Sequence, residues 1–154
     1  MLAENLSRRE IIEKYTQLVE PLFVYIPWLE KVSGNRASSL YSGEGIGEHS
    51  ISFPVYDSTL LGFVKQVSQS ELMNRNYAYH YSWNHLKTVQ DELRMIERVT
   101  LYEADALEAI LSRYVLGGMT KGILWSQAIE YGIFLQILLK FKDILDYWEK
   151  RPEA

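Results

Sequence analysis

The stretch Thr100–Trp148, TLYEADALEAILSRYVLGGMTKGILWSQAIEYGIFLQILLKFKDILDYW, decides the fold of this 154-residue chain. Its first residues match a capping box, in which the Thr100 hydroxyl and the Glu103 carboxylate each accept a hydrogen bond from the other's backbone N–H. The apolar spacing that follows predicts a helix, which Gly117-Gly118 is expected to end in a left-handed conformation. Its predicted inner stripe is Ala104, Leu107, Ile110, Leu111, Tyr114 and Val115, and its predicted other faces carry Asp105, Glu108, Ser112 and Arg113.

Two further helices are expected in the same stretch. Thr120 is the predicted N-cap of the first helix, and Gly132 is expected to close it. The second helix starts at Ile133, and up to Leu139 its only polar residue is Gln136. The first half of this helix is therefore predicted to be buried on nearly every side. Its second half keeps one apolar stripe and is expected at the surface.

The helix pair around Gly132 also suggests a DNA-binding helix-turn-helix. In that motif the second helix presents Arg, Lys, Asn or Gln to the base edges. Here it reads FLQILL from Phe134 to Leu139, and it could not enter a groove without exposing a core. The net charge of −4 and the pI near 5.4 also lack the positive field that nucleic acid attracts. Nucleic-acid binding is therefore disfavoured.

Composition indicates an ordinary globular chain. With 47% hydrophobic residues, one domain over residues 1–154 with a proper core is expected. The absence of cysteine excludes disulfides, thiolate nucleophiles and cysteine-based metal sites. No basic-then-apolar leader is visible, and no stretch approaches the roughly 20 apolar residues of a membrane helix. The expectation is a cytoplasmic protein without a membrane partner.

The N-terminal part carries a second capping box, formed by Ser7 and Glu10. It predicts a helix up to about Glu20, where Pro21 kinks or ends it. Pro27 suits the first turn of a short helix that would end at Ser33.

The next stretch contains the least regular part of the chain. Residues 33–50, Ser33 to Ser50, are predicted to form a flexible Gly/Ser-rich loop, whose glycines fit neither a Walker A motif nor a dinucleotide fingerprint. Ile51–Tyr56 is predicted as a short strand that Pro54 confines to a sheet edge. Asp57 or Ser58 is then expected to cap a helix ending near Leu72.

Aromatic residues alternate with small or polar ones between Tyr77 and Trp83. A period of two predicts an extended segment with one aromatic face, and Ser82 is expected to cap the helix after it. The outer face of that helix, including Glu92, is predicted to be solvated. The segment is either an edge strand that packs its tyrosines on the helices, or it presents an aromatic wall to a flat ligand, a peptide or a partner chain. The candidate binding residues are Tyr77, Tyr79, His80, Tyr81, Trp83 and His85.

No motif predicts catalysis, a metal or a cofactor. His85 has no acid or second histidine at helical spacing, since Val89 lies four residues on. Serines, histidines and acids are present, but no nucleophile elbow selects a triad. Glu103, Asp105 and Glu108 lie near a helix start, where capping and the helix dipole already explain carboxylates.

The C-terminal part resembles an uncharacterised family of small bacterial and phage-associated proteins, a domain of unknown function. The matching residues are Ala104-Asp105, Leu111 to Gly117 and Leu124 to Leu135, with Tyr25 to Trp28, Pro54 to Tyr56 and Tyr81 to Trp83 upstream. These are mostly core and turn residues, so the resemblance implies a fold and no reaction. Family members carry arginines in the turn where this chain has Leu116 and Met119, so no anion-binding role for the turn is implied.

The sequence therefore predicts one compact, mainly α domain of about five to seven helices, with a minor extended or β-hairpin component. The favoured function is a non-catalytic protein-interaction module, with a protein partner or a homodimer. The first alternative is a small-molecule-binding protein or enzyme, with an aromatic-lined pocket between the aromatic segment and the helix capped at Thr100. The second is a nucleic-acid-associated protein.

Overall fold

A computed structural model describes residues 7–33 and 57–149. This part of the chain is mainly helical, as predicted, and no strand occurs within it. The predicted loop beyond Ser33 and the predicted strand Ile51–Tyr56 lie outside the described residues. The α-helices are α1 Arg8–Val19, α2 Ile26–Val32, α3 Ser58–Ser68, α4 Tyr77–Trp83, α5 Val89–Arg98, α6 Asp105–Gly117, α7 Ile123–Glu130 and α8 Ile133–Glu149.

Two 3₁₀ segments complete the described elements, and both are explained by local chemistry. The segment Glu20–Tyr25 follows α1 directly, because Pro21 removes a backbone donor where α1 would otherwise continue. The segment Leu101–Glu103 precedes α6 and carries the Thr100 capping box. The predicted boxes at Ser7 and Thr100 are both confirmed.

Helices α6 and α8 form the centre of the fold. Helix α6 packs against α3, α4, α5, α7 and α8, whereas α8 packs against α1, α2, α5, α6 and α7. Both come from the stretch Thr100–Trp148, and the predicted α6 stripe is buried throughout. In α8, Ile133, Phe134, Ile137 and Leu138 are buried, but Gln136 is exposed. The first half of α8 is therefore less completely buried than predicted.

The glycines of this stretch serve different purposes. Gly132 has a φ of +75° and closes α7, as predicted. Gly118 has a φ of −69°, so the predicted left-handed ending at Gly117-Gly118 is wrong. A Cβ on Gly118 would lie 2.1 Å from the Trp125 ring, and close packing of the indole is the reason for a glycine there. Helix α7 begins after Gly122, so Thr120 is not its N-cap.

The aromatic segment Tyr77–Trp83 is an α-helix, which corrects the prediction of an extended segment. Alternation over seven residues also satisfies helical spacing, because Tyr77 and Tyr81 are four residues apart, as are Tyr79 and Trp83. Each pair lies on one face of a helix. Packing of α4 on α6 decides between the two periodicities.

The connection after α4 also differs from the prediction. Helix α5 starts at Val89 and is capped by Thr88, whose hydroxyl accepts from the N–H of Asp91, and Ser82 is not its cap. His85 lies in the turn between the helices with a φ of 58°, a left-handed conformation that is uncommon for a residue with a Cβ. The expected cap at Ser82 would have placed His85 in the first turn of the helix.

Candidate functional site

Helix α4 presents an aromatic ridge, formed by Tyr79 and Trp83, to solvent. The two rings are stacked with centroids 6.2 Å apart and planes at 20°. Their exposed fractions are 63% and 71%. The chain has four tryptophans, and Trp83 is the exposed one, because Trp28, Trp125 and Trp148 pack against the core.

A cleft of about 420 Å³ lies between this ridge and the junction of α5 with α6. It occupies the position in which the sequence predicted a pocket, between the aromatic segment and the helix capped at Thr100. Its volume is in the range of small-ligand sites. The lining residues are Tyr79, His80, Trp83, Asn84, Met95, Arg98, Val99, Glu103, Asp105 and Ala106.

A second, smaller cleft of about 390 Å³ lies on the other side of the ridge. Tyr79, Ser82, Trp83 and His85 line it. The left-handed backbone at His85 turns the chain away immediately after α4 and leaves Trp83 at the end of the helix. The ridge therefore separates two concave surfaces and belongs to both.

The inner face of α4 is anchored by a buried carboxylate that was predicted to be solvated. Glu92 is 3% exposed, and its Oε2 accepts from the Tyr81 hydroxyl at 2.7 Å. Its Oε1 accepts from the Tyr114 hydroxyl, and Arg113 Nη1 lies 3.4 Å from Oε2. Burial raises the pKa of both tyrosines, and the negative charge and hydrogen bonding of Glu92 raise it further. Both hydroxyls therefore stay protonated and act as hydrogen-bond donors. Tyr81 is thus an anchor and not a free binding residue.

A second buried carboxylate, Glu108 on α6, accepts from the Tyr15 hydroxyl of α1 at 2.7 Å. Lys14 Nζ lies 3.9 Å from the same oxygen. Burial raises the pKa of Glu108 above its ordinary value of 4.5, although the Tyr15 hydrogen bond and Lys14 act in the opposite direction. The sequence placed Glu108 on an outer face because it could not reveal the Tyr15 partner.

This pKa gives a testable pH dependence. Between pH 4.5 and the folded-state pKa, the folded protein binds more protons at Glu108 than the unfolded chain does. The stability that Glu108 contributes is therefore greatest below pH 4.5 and falls as the pH rises through the folded-state pKa. We expect the free energy of unfolding of the wild type, minus that of Glu108→Gln, to decrease from about pH 4 to about pH 8 in urea titrations.

The control for this measurement is Glu97→Gln, because Glu97 is an exposed carboxylate on α5. Its difference from the wild type should change less over the same interval than that of Glu108→Gln, because this side chain is not transferred into the core on folding. A Glu108→Gln profile parallel to the wild-type profile would contradict the burial argument.

The other candidate binding residues are divided among different surroundings. His80 is half-buried in the larger cleft, where its Nε2 lies 3.2 Å from Asn74 Nδ2. His85 is exposed in the smaller cleft, and half-buried Tyr77 lines neither of the two clefts.

Arg98 and Asp105 line the larger cleft and were not among the binding residues predicted from the sequence. Their signal was weak, because a basic residue at a helix end and an acidic one at a helix start are explained by the helix dipole. Arg98 and Asp105 line one cleft only because α4 packs beside the junction of α5 with α6.

Among residues 7–33 and 57–149, no three histidine or carboxylate side chains are grouped so that they could hold a metal ion. None of the helices in this part of the chain is both long and apolar enough to cross a membrane. No protein-family model, no curated protein and no solved structure matches the chain. The resemblance to the bacterial and phage-associated family stays a prediction.

Proposed function

We propose that this protein is a non-catalytic interaction module that binds a partner polypeptide across the Tyr79–Trp83 ridge. The observation that carries the proposal is the exposure of two stacked aromatic side chains on a helix whose opposite face is anchored. Tyrosine and tryptophan supply large contact areas at small entropic cost and are enriched at binding hot spots.

The anchoring of α4 supports this proposal. The hydrogen bond from Tyr81 to Glu92 fixes the inner face of the helix, and Asn84 Nδ2 donates to the His80 carbonyl at 2.9 Å near its end. A side chain presented from a fixed backbone loses less entropy on binding than one on a loose loop. The ridge is thus a preorganised surface flanked by concave ones.

Site-specific photo-crosslinking tests the proposal. A photoreactive p-benzoylphenylalanine at position 83 should form a covalent adduct in cells, and mass spectrometry of the adduct identifies the partner. The matched control position is Tyr131, an aromatic residue that is 49% exposed beyond α7. Tyr79→Ala should reduce the adduct formed from position 83. Equal adducts from positions 83 and 131, or none from position 83, would contradict the proposal.

Small-molecule binding is a second candidate, and the volume of the larger cleft favours it. A space of about 420 Å³ accommodates a metabolite-sized ligand. In a thermal-shift screen, a true ligand of this cleft should raise the melting temperature of the wild type and not that of Trp83→Ala. A ligand that stabilises both equally would bind elsewhere.

A further inference from the structure

Two opposite charges in the larger cleft have no partner in the described part of the protein. Arg98 ends α5 and Asp105 begins α6, and both side chains are exposed and line the cleft. Neither forms a hydrogen bond or an ion pair with another described residue, and they do not pair with each other. Within residues 7–33 and 57–149, the Arg98 guanidinium and the Asp105 carboxylate are therefore available for pairing.

The helix ends fix which charge lies where. A cation complements the partial negative charge at the C-terminus of α5, and an anion complements the partial positive charge at the N-terminus of α6. The third charged residue, Glu103, accepts from the Thr100 N–H through Oε1 at 3.3 Å, which holds its side chain in the capping box and leaves its negative charge in the cleft. Among the described lining residues, a ligand would thus meet the Arg98 guanidinium and the Asp105 carboxylate as charges without a partner, with Glu103 adding a further negative charge.

The ridge itself attracts a cation. The basic side chains that lie over aromatic rings in the described residues are Arg8, Lys14 and Arg113, and none of them covers Tyr79 or Trp83. An incoming ammonium or guanidinium group would interact with the electron-rich face of Trp83 and with the Asp105 carboxylate. An incoming carboxylate would pair with the planar guanidinium of Arg98.

We infer that the partner segment carries a basic and an acidic side chain and that it docks with the basic one between Trp83 and Asp105 and the acidic one on Arg98. This inference rests on the proposed function and names the chemistry of the partner. A chain segment fits better than a single small ion pair, because the clefts on both sides of the ridge share Tyr79 and Trp83. A segment that crosses the ridge occupies both.

Capped model peptides test the inference with the full-length protein. The probes are N-acetylated, C-amidated peptides in which one lysine and one glutamate are separated by short alanine spacers. Matched peptides replace the lysine, the glutamate or both by glutamine. Binding is measured by calorimetry and followed by the total tryptophan fluorescence, to which Trp83 contributes as the exposed one of the four tryptophans.

The expected result is a separable contribution from each charge. Each exposed pair should change Kd by up to about fivefold, so the doubly charged peptides should bind more tightly than the neutral ones. Asp105→Asn should reduce the preference for lysine and keep that for glutamate, because Trp83 and Glu103 remain in the cleft. Arg98→Gln should abolish the preference for glutamate and keep that for lysine. Glu97→Gln, an exposed acid outside this cleft, should change neither preference.

The outcomes separate this inference from the proposed function. If neutral peptides bind as tightly as charged ones, or no peptide binds while position 83 still crosslinks a partner, the inference is wrong and the proposed function stands. An adduct with the mass of two chains identifies a second copy as the occupant and also overturns the inference. If position 83 crosslinks nothing, the proposed function itself fails.

Discussion

Replacing Glu92 with alanine is expected to lower the free energy of unfolding by about 3–5 kcal/mol. The carboxylate accepts hydrogen bonds from Tyr81 and Tyr114 and pairs with Arg113. Its removal leaves the buried Tyr114 hydroxyl, the hydroxyl of half-buried Tyr81 and a half-buried guanidinium without this acceptor, and each of these groups was at least partly desolvated on folding. The variant also loses the hydrogen bond that anchors α4 through Tyr81. The substitution should therefore change the position of the aromatic ridge as well as the stability.

Chemical denaturation followed by circular dichroism measures this change. Glu97→Ala is the matched control, because Glu97 is an exposed glutamate on the same helix and its replacement should change the free energy of unfolding by less than about 0.5 kcal/mol. A second readout is the quenching of Trp83 by acrylamide, which should change in Glu92→Ala if α4 loses its position. Equal stabilities of the two variants would show that the buried network contributes nothing.

Replacing Gly118 with alanine is expected to cost about 1–3 kcal/mol. The added Cβ would lie 2.1 Å from two atoms of the Trp125 ring and 2.7 Å from a third. The indole is rigid, and its Nε1 donates to the Val115 carbonyl at 3.0 Å, so it cannot move aside without loss of this hydrogen bond. The methyl group therefore has to displace α7 or the end of α6.

The same chemical change at Gly62 should have the opposite sign. Among the described residues, a Cβ on Gly62 would meet only the Tyr25 hydroxyl oxygen, at 3.7 Å. Alanine in the middle of α3 should therefore stabilise the protein by about 0.5–1 kcal/mol. In a Trp125→Ala background, Gly118→Ala should destabilise the protein much less, because the indole ring that the added Cβ would contact is absent. A cost that persists in this background would contradict the packing explanation.

The central helices could be predicted from local rules. Hydrogen bonding within a few residues explains the capping boxes at Ser7 and Thr100. Local backbone geometry explains why Gly132, with its positive φ, ends α7. The inner stripe of α6 follows from a periodicity that extends over the whole helix.

The candidate site was only partly predictable, because its decisive contacts are not local. The aromatic segment was recognised as a binding candidate, but seven residues satisfy a period of two and a helical i,i+4 spacing equally well. The choice depended on packing against α6. Tyr79 and Trp83 therefore share an exposed face, whereas Tyr81 points to Glu92. Arg98 and Asp105 became site residues only because α4 packs beside the ends of their helices.

By itself, the sequence determined that this protein is mainly helical and where α1, α3 and α8 begin, because these properties depend on neighbours one to four positions away. Only the tertiary structure decided which polar groups are buried. The hydrogen bond from Tyr15 to Glu108 joins residues that are 93 positions apart in the sequence, and the hydrogen bond from Tyr114 to Glu92 joins residues that are 22 positions apart. Each of these glutamates is stable in the core because a tyrosine that is distant in the sequence donates a hydrogen bond to it. The spacing of apolar and polar residues along one helix contains no information on such a distant partner.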